Sequence, residues 1–219
     1  MKKRELYRNL SLTALAAGLM LAGMLLVTLM NSGLTAQDFE AFAAPEAYAS
    51  SLLAAEGPLR TILTLDNLFV LFYTAAFIFL AGTAWGKRNR LLGTVALGAL
   101  LLTSYLDFHE NHSLLAFLSM ANNGVAIEAN TLLRHDVLSQ LKFHSSYLSF
   151  FLFAFVLPDK TLMEKVLRWS LLLVFAPIGI LVYTFPSPTF SLLRYLLMLS
   201  GLLILAWNAW QRAQKKATA

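Results

Sequence analysis

Asp66, Asp107, Lys142 and Arg194 stand inside or at the edge of long apolar runs, where a charge is costly. A charged group at such depth is paired, or it acts on a ligand, an ion or a proton. The spacing of neighbouring polar residues sharpens this. Asp107, Glu110 and Asn111 recur at i, i+3 and i+4, which puts them on one helical face. Lys142 shares a stripe with Ser139, Ser146 and Ser149. His144 lies about 200° further round the same helix, in a stripe with Gln140 and Tyr147, so it faces a different partner. Asp66 and Tyr73 are seven residues apart and align, with Asn67 and Thr74 beside them.

Several chemistries compete for these residues. A catalytic zinc takes three protein ligands and a water. His109 and His112 offer two ligands from one turn, and His135 or Asp136 a third. Yet the string His109-Glu110-Asn111-His112 lacks the His-Glu-x-x-His spacing, and no histidine follows His144. Haem needs two axial histidines at matching depth, and His144 alone sits well inside a span. Nucleophilic serine chemistry lacks a Gly-x-Ser-x-Gly elbow, although Ser145 and Ser146 lie near Lys142. Thiol chemistry and disulfides are excluded, because the chain has no cysteine. Proton or solute transport needs ionisable groups on a water-filled path, and the inner halves of the runs are almost wholly apolar. A structural account is simpler still: Asp107 or Glu110 pairs with Lys142, Asp66 and Asn111 bond to helix ends, and Arg194 snorkels to the outer surface. No cofactor is expected, with zinc as the alternative.

The elements that must carry these groups are transmembrane helices. The chain has 219 residues, 58% hydrophobic and 13% charged. A soluble domain carries roughly 25% charged residues. The apolar residues fall into six runs, at about 11–30, 65–85, 91–108, 139–157, 168–185 and 190–210. Most reach the ~20 residues that cross a hydrocarbon core of ~30 Å. Two longer polar segments, 31–60 and 109–136, would lie outside. With the N-terminus in the cytoplasm, the inner segments hold Lys2, Lys3, Arg4, Arg8, Lys87, Arg88, Arg90, Lys160, Lys165, Arg168, Arg212, Lys215 and Lys216. That positive-inside bias predicts an all-α, six-span protein with both termini inside, in the cell membrane, of the bacterial inner-membrane type. The net charge of +5 then reflects anchoring at the membrane surface and not a nucleic-acid partner. The first run also reads as a signal peptide ending near Ala36, but its ~20 apolar residues exceed the 7–15 of a signal core.

Counting along each helix from its cytoplasmic end puts Asp66, Asp107, Lys142 and Arg194 at ~24–29 Å, one layer near the outer surface. Between the first two runs, Phe39, Phe42, Tyr48 and Leu52 predict one or two short surface helices, broken near Pro45 and closed by Gly57-Pro58. Asn122-Asn123-Gly124 signals a turn, and the third span either ends near 108 or runs on beyond the surface. Pro177 should kink the fifth span. Gly18 and Ala22 offer a small-residue face for close helix approach.

Leu65-Asp66 to Tyr73, Leu106-Asp107-x-x-Glu110-Asn111 and Leu141-Lys142 together resemble small polytopic bacterial membrane proteins of uncharacterised activity, over roughly residues 65–150. The resemblance implies that Asp66, Tyr73, Asp107, Glu110, Asn111 and Lys142 belong together. It implies no activity. The expectation is a membrane protein with an outward-facing polar pocket between the second and fourth spans. The pocket would bind a small solute or a lipid headgroup, or serve an accessory subunit. The alternative is a membrane-embedded lipid hydrolase, with or without metal. Asn67, His144 and Arg194 are carried as further candidates, and the bilayer is the one partner the composition demands.

Overall fold

The computed structural model describes residues 2–84, 90–185 and 187–215. All regular structure among them is helical. The elements are α1 (Lys3–Met30), a short 3₁₀ turn (Ala36–Phe39), α2 (Pro45–Ala54), α3 (Glu56–Ala84), α4 (Arg90–Asn122), α5 (Ala129–Val156), α6 (Leu162–Ser170), a π-helical turn (Leu171–Phe175), α7 (Ala176–Thr184) and α8 (Pro188–Lys215). α6, the π turn and α7 form one rod. Five helices, α1, α3, α4, the α6–α7 rod and α8, are long and apolar enough to cross a membrane. α5 matches them in length but is less apolar, with Gln140, His144 and several serines beside Lys142. Lys87, Arg88 and Lys216, used above for topology, lie outside the described residues.

The long helices close into a ring. α1 packs on α3, α3 on α4, α4 on α5, α5 on the α6–α7 rod, that rod on α8, and α8 back on α1. Non-adjacent helices meet chiefly through long side chains, as where Phe77 of α3 packs 5.1 Å from the Phe150 and Phe153 rings of α5. Small residues set the closest joints. Ala14, Ala17 and Gly18 of α1 are buried, and a Cβ on Gly18 would come within 3.3 Å of Leu203 on α8. Ser11 Oγ donates to the Ala206 carbonyl at 2.9 Å across the same seam. Between α4 and α5, Ser149 Oγ donates to the Ala96 carbonyl at 2.8 Å, and the Thr103 and Ser145 hydroxyls meet at 2.7 Å. Such polar contacts and close backbone approach replace the hydrophobic drive that lipid cannot supply.

Of the two courses expected for the third span, α4 takes the longer: it runs on past 108, and at 33 residues it spans ~50 Å, more than a ~30 Å core. Its outer turns place Leu114, Phe117 and Leu118 in a second apolar cluster with Phe39, Tyr48, Leu52, Leu59 and Leu132. The outer segments therefore form a packed cap, not loose surface helices. α4 ends on Gly124, whose φ of +67° lets the Val125 N–H reach the Met120 carbonyl at 2.9 Å. Gly57-Pro58 does not close a helix. It lies in the first turn of α3, where a proline has no hydrogen bond to lose. Pro177 follows the π turn, whose wider winding accommodates the missing N–H and the ring's clash with the preceding turn.

Candidate ligand-binding site

The polar layer is built around Lys142, which is 5% exposed. Its Nζ lies 2.5 Å from Glu110 Oε1, 3.3 Å from Glu40 Oε1 and 3.4 Å from Asp107 Oδ1. Both acids of the α4 stripe thus reach the one ammonium. The third comes from the 3₁₀ segment after α1. Ser139 Oγ donates to Glu40 Oε2 at 2.9 Å, and the Tyr73 hydroxyl donates to Asp107 Oδ2. Asn111 Nδ2 donates to Asp66 Oδ2 at 2.6 Å and lies 3.5 Å from Asn67 Oδ1, so Asp66 and Asn111 serve each other rather than helix ends. Burial raises the pKa of Glu40. Lys142 and Arg194, aided by the Ser139 hydrogen bond, outweigh burial and hold the carboxyl below its ordinary value.

Arg194 is the main correction to the sequence reading. It does not snorkel; it is 2% exposed and points inward. Its Nη2 donates to Gln37 Oε1 at 2.7 Å, and its Nη1 lies 3.4 Å from the Tyr147 hydroxyl. The guanidinium carbon sits 4.0 Å from the Phe143 ring centre and 5.9 Å from that of Tyr183. No carboxylate lies within ion-pair distance of it among the described residues. Gln37 and Glu40, neither singled out in the sequence, bring the 3₁₀ segment into the layer. The available signal was the Thr35-x-x-Asp38 capping pattern, which winds this segment and turns Phe39 into the cap core.

The histidines do not join the layer. His144 is exposed; its Nδ1 lies 2.8 Å from the Gln140 carbonyl, and its ring packs on Tyr147 and Tyr183. His109 and His112 are exposed, whereas His135 is buried edge-on against Phe117. Among the described residues, no three His, Asp or Glu side chains are grouped to hold a metal ion. Lys142 Nζ meets carboxylates, while Ser145 and Ser146 bond to backbone carbonyls, so the Ser–Lys arrangement is not formed.

One cavity of about 920 Å³ joins the layer to the centre of the ring. One end of it is lined by Glu40, Asp66, Asp107, Lys142 and Arg194. Beyond them it is walled by Phe77, Phe150, Phe153, Leu171, Phe175 and Leu202. A smaller chamber of about 160 Å³ lies at the opposite end and shares Leu80, Leu157, Leu167 and Leu205 with the large one. It is lined by Tyr7, Thr83, Glu164, Asn208 and Arg212. The inner halves of the helices are thus less uniformly apolar than the sequence suggested. Asn208 Nδ2 is buried there without a hydrogen-bond partner. In chemical terms the molecule presents a charged layer, an apolar shaft and a small polar floor. Neither a family model, nor a curated protein, nor a solved structure matches this chain.

Proposed function

We propose that this chain is a multi-pass membrane protein that crosses the bilayer six times, with both termini inside, and holds a single-chain amphiphile. The head lies in the layer around Lys142 and Arg194, and the tail lies in the shaft. The carrying observation is the continuity of the cavity from charged to apolar lining. Sites of this size and mix of walls take small amphipathic ligands. From Arg194 to Leu205 on α8 is ~16 Å of helix, close to the ~15 Å depth of one leaflet. The sixth crossing is α5. Its exposed face carries Leu133, Val137, Leu141, Leu148, Phe151 and Phe155, while Lys142 faces the ring interior. A helix with that distribution satisfies lipid outside and charge inside.

The test uses protein purified in a mild non-ionic detergent and mixed with monoolein, then weighed by native mass spectrometry. Gly201 lines the shaft, and the nearest atom to an added Cβ is 3.9 Å away. Gly201→Phe should therefore fill the shaft while leaving the layer intact. A one-to-one adduct that Gly201→Phe abolishes supports the proposal. No adduct, or one equally abundant in the variant, would remove it.

A further inference from the structure

The geometry points to an oxyanion as the headgroup, a carboxylate or a phosphate bound by Arg194; this rests on the amphiphile reading above. The two buried cations of the layer stand in opposite situations. Lys142 has three carboxylates within 3.4 Å, so its charge is fully met. Arg194 has none within ion-pair distance among the described residues. A guanidinium offers five N–H donors in a planar fork. The bonds to Gln37 and Tyr147 use two of them, and no further acceptor meets the rest among the described residues. Arg194 lines the cavity, so the unused donors belong to a wall that a ligand can reach.

Position in the ring supports the same assignment. The carboxylates of Asp66, Asp107 and Glu110 come from α3 and α4. In the order α1, α3, α4, α5, α6–α7, α8, the helix opposite α4 is α8, which carries Arg194. Asp107 and Glu110 meet Lys142 from α4, and Glu40 meets it from beside the Gln37 turn; Lys142 Nζ and the Arg194 guanidinium lie 4.2 and 4.0 Å from the one Phe143 ring centre, so the open donors stand beside a cation that is already paired. Phe143 lies against the guanidinium on one side, and the Gln37 bond fixes its plane. That arrangement suits two-pronged recognition of a carboxylate or phosphate, which a lysine at the same place would not provide. The apolar shaft begins beside it, so a tail attached to the oxyanion continues along α8 toward Leu202 and Leu205.

The experiment compares four probes with the same oleoyl or oleyl chain on the wild-type protein in non-ionic detergent. They are oleate, oleoyl lysophosphatidic acid, monoolein and oleylamine. At least one oxyanion should bind about tenfold or more tightly than monoolein, the worth of one charge-assisted hydrogen bond. Preference for both, or for the phosphate alone, identifies the source and supports the assignment. Arg194→Gln should remove the preference, and Arg194→Lys should restore only part of it. Monoolein binding as tightly as both anions, or oleylamine binding tightest, overturns the oxyanion assignment and leaves the amphiphile reading standing. Failure of all four probes to bind overturns both. The wild-type ranking decides the matter even if a variant does not fold.

Discussion

The two ends of the ring each hold a buried acid paired with a base, and they are built on different terms. At the inner end, Glu164 is the capping residue of α6. Its Oε2 accepts the Lys160 and Thr161 N–H groups at 2.9 and 3.1 Å, and its Oε1 accepts from Arg212 on α8. Both of its oxygens are engaged, and most of its partners are local. At the other end, three carboxylates crowd one ammonium, Glu110 Oε2 has no hydrogen-bond donor, and Arg194 has no acid within ion-pair distance among the described residues. The Glu164 pair is complete as a clasp between the α6–α7 rod and α8. The Lys142 group is over-supplied with acid at Lys142 and under-supplied at Arg194. A packing device needs no such imbalance; a binding layer does.

The largest test of that contrast is Lys142→Met. It strands three carboxylates in the ring, and about 3–5 kcal/mol of stability should be lost, measured by unfolding in detergent. Restoring stability requires neutralising more than one acid, so adding Asp107→Asn alone should recover only part of the loss. Glu164→Gln should cost less, about 1–3 kcal/mol, because the amide still accepts a backbone hydrogen bond. Adding Arg212→Gln should return most of it. An inner change as damaging as the outer one would erase the distinction.

Acid should separate the ends further. Glu40 has a folded pKa below its unfolded value, so its contribution is full above about pH 4.3 and is lost as pH falls through the folded value. Melting temperature should drop over that window in the wild type and drop less in Glu40→Gln. The smallest effect belongs to His144→Ala. Its ring lies outside the layer, so stability should stay within about 0.5 kcal/mol and probe binding should not change.

Much of this was legible from spacing alone. The i, i+3, i+4 pattern at Asp107, Glu110 and Asn111 placed three groups on one face, and helical rise set them at the depth of Lys142. Asp66 and Tyr73 followed from the same counting. Glu40 and Gln37 were not legible, because a single 3₁₀ turn is too short for a periodicity that says which residues turn inward. Arg194 was misread for a related reason. An arginine near a helix end reaches water by default, and only the Gln37 contact and the aromatic walls of another helix show that it turns the other way. The hollow centre was also hidden, since apolar residues facing a cavity and those facing lipid look alike in a sequence.

The closed ring has a consequence for biosynthesis. Glu110 and Lys142 are 32 residues apart, so the α4–α5 hairpin can form their pair as soon as it leaves the ribosome. Gln37 and Arg194 are 157 residues apart, and Ser11 and Ala206 are 195 apart. At about 5–20 residues per second, roughly 10–30 s separate the appearance of Gln37 from that of Arg194. For the later part of that interval the Lys142 group exists without Arg194, and the gap in the ring lies between α1 and the α6–α7 rod. The last of these helices to be made both seals the ring and delivers the guanidinium, so a chain truncated before α8 would leave the cavity open along one side.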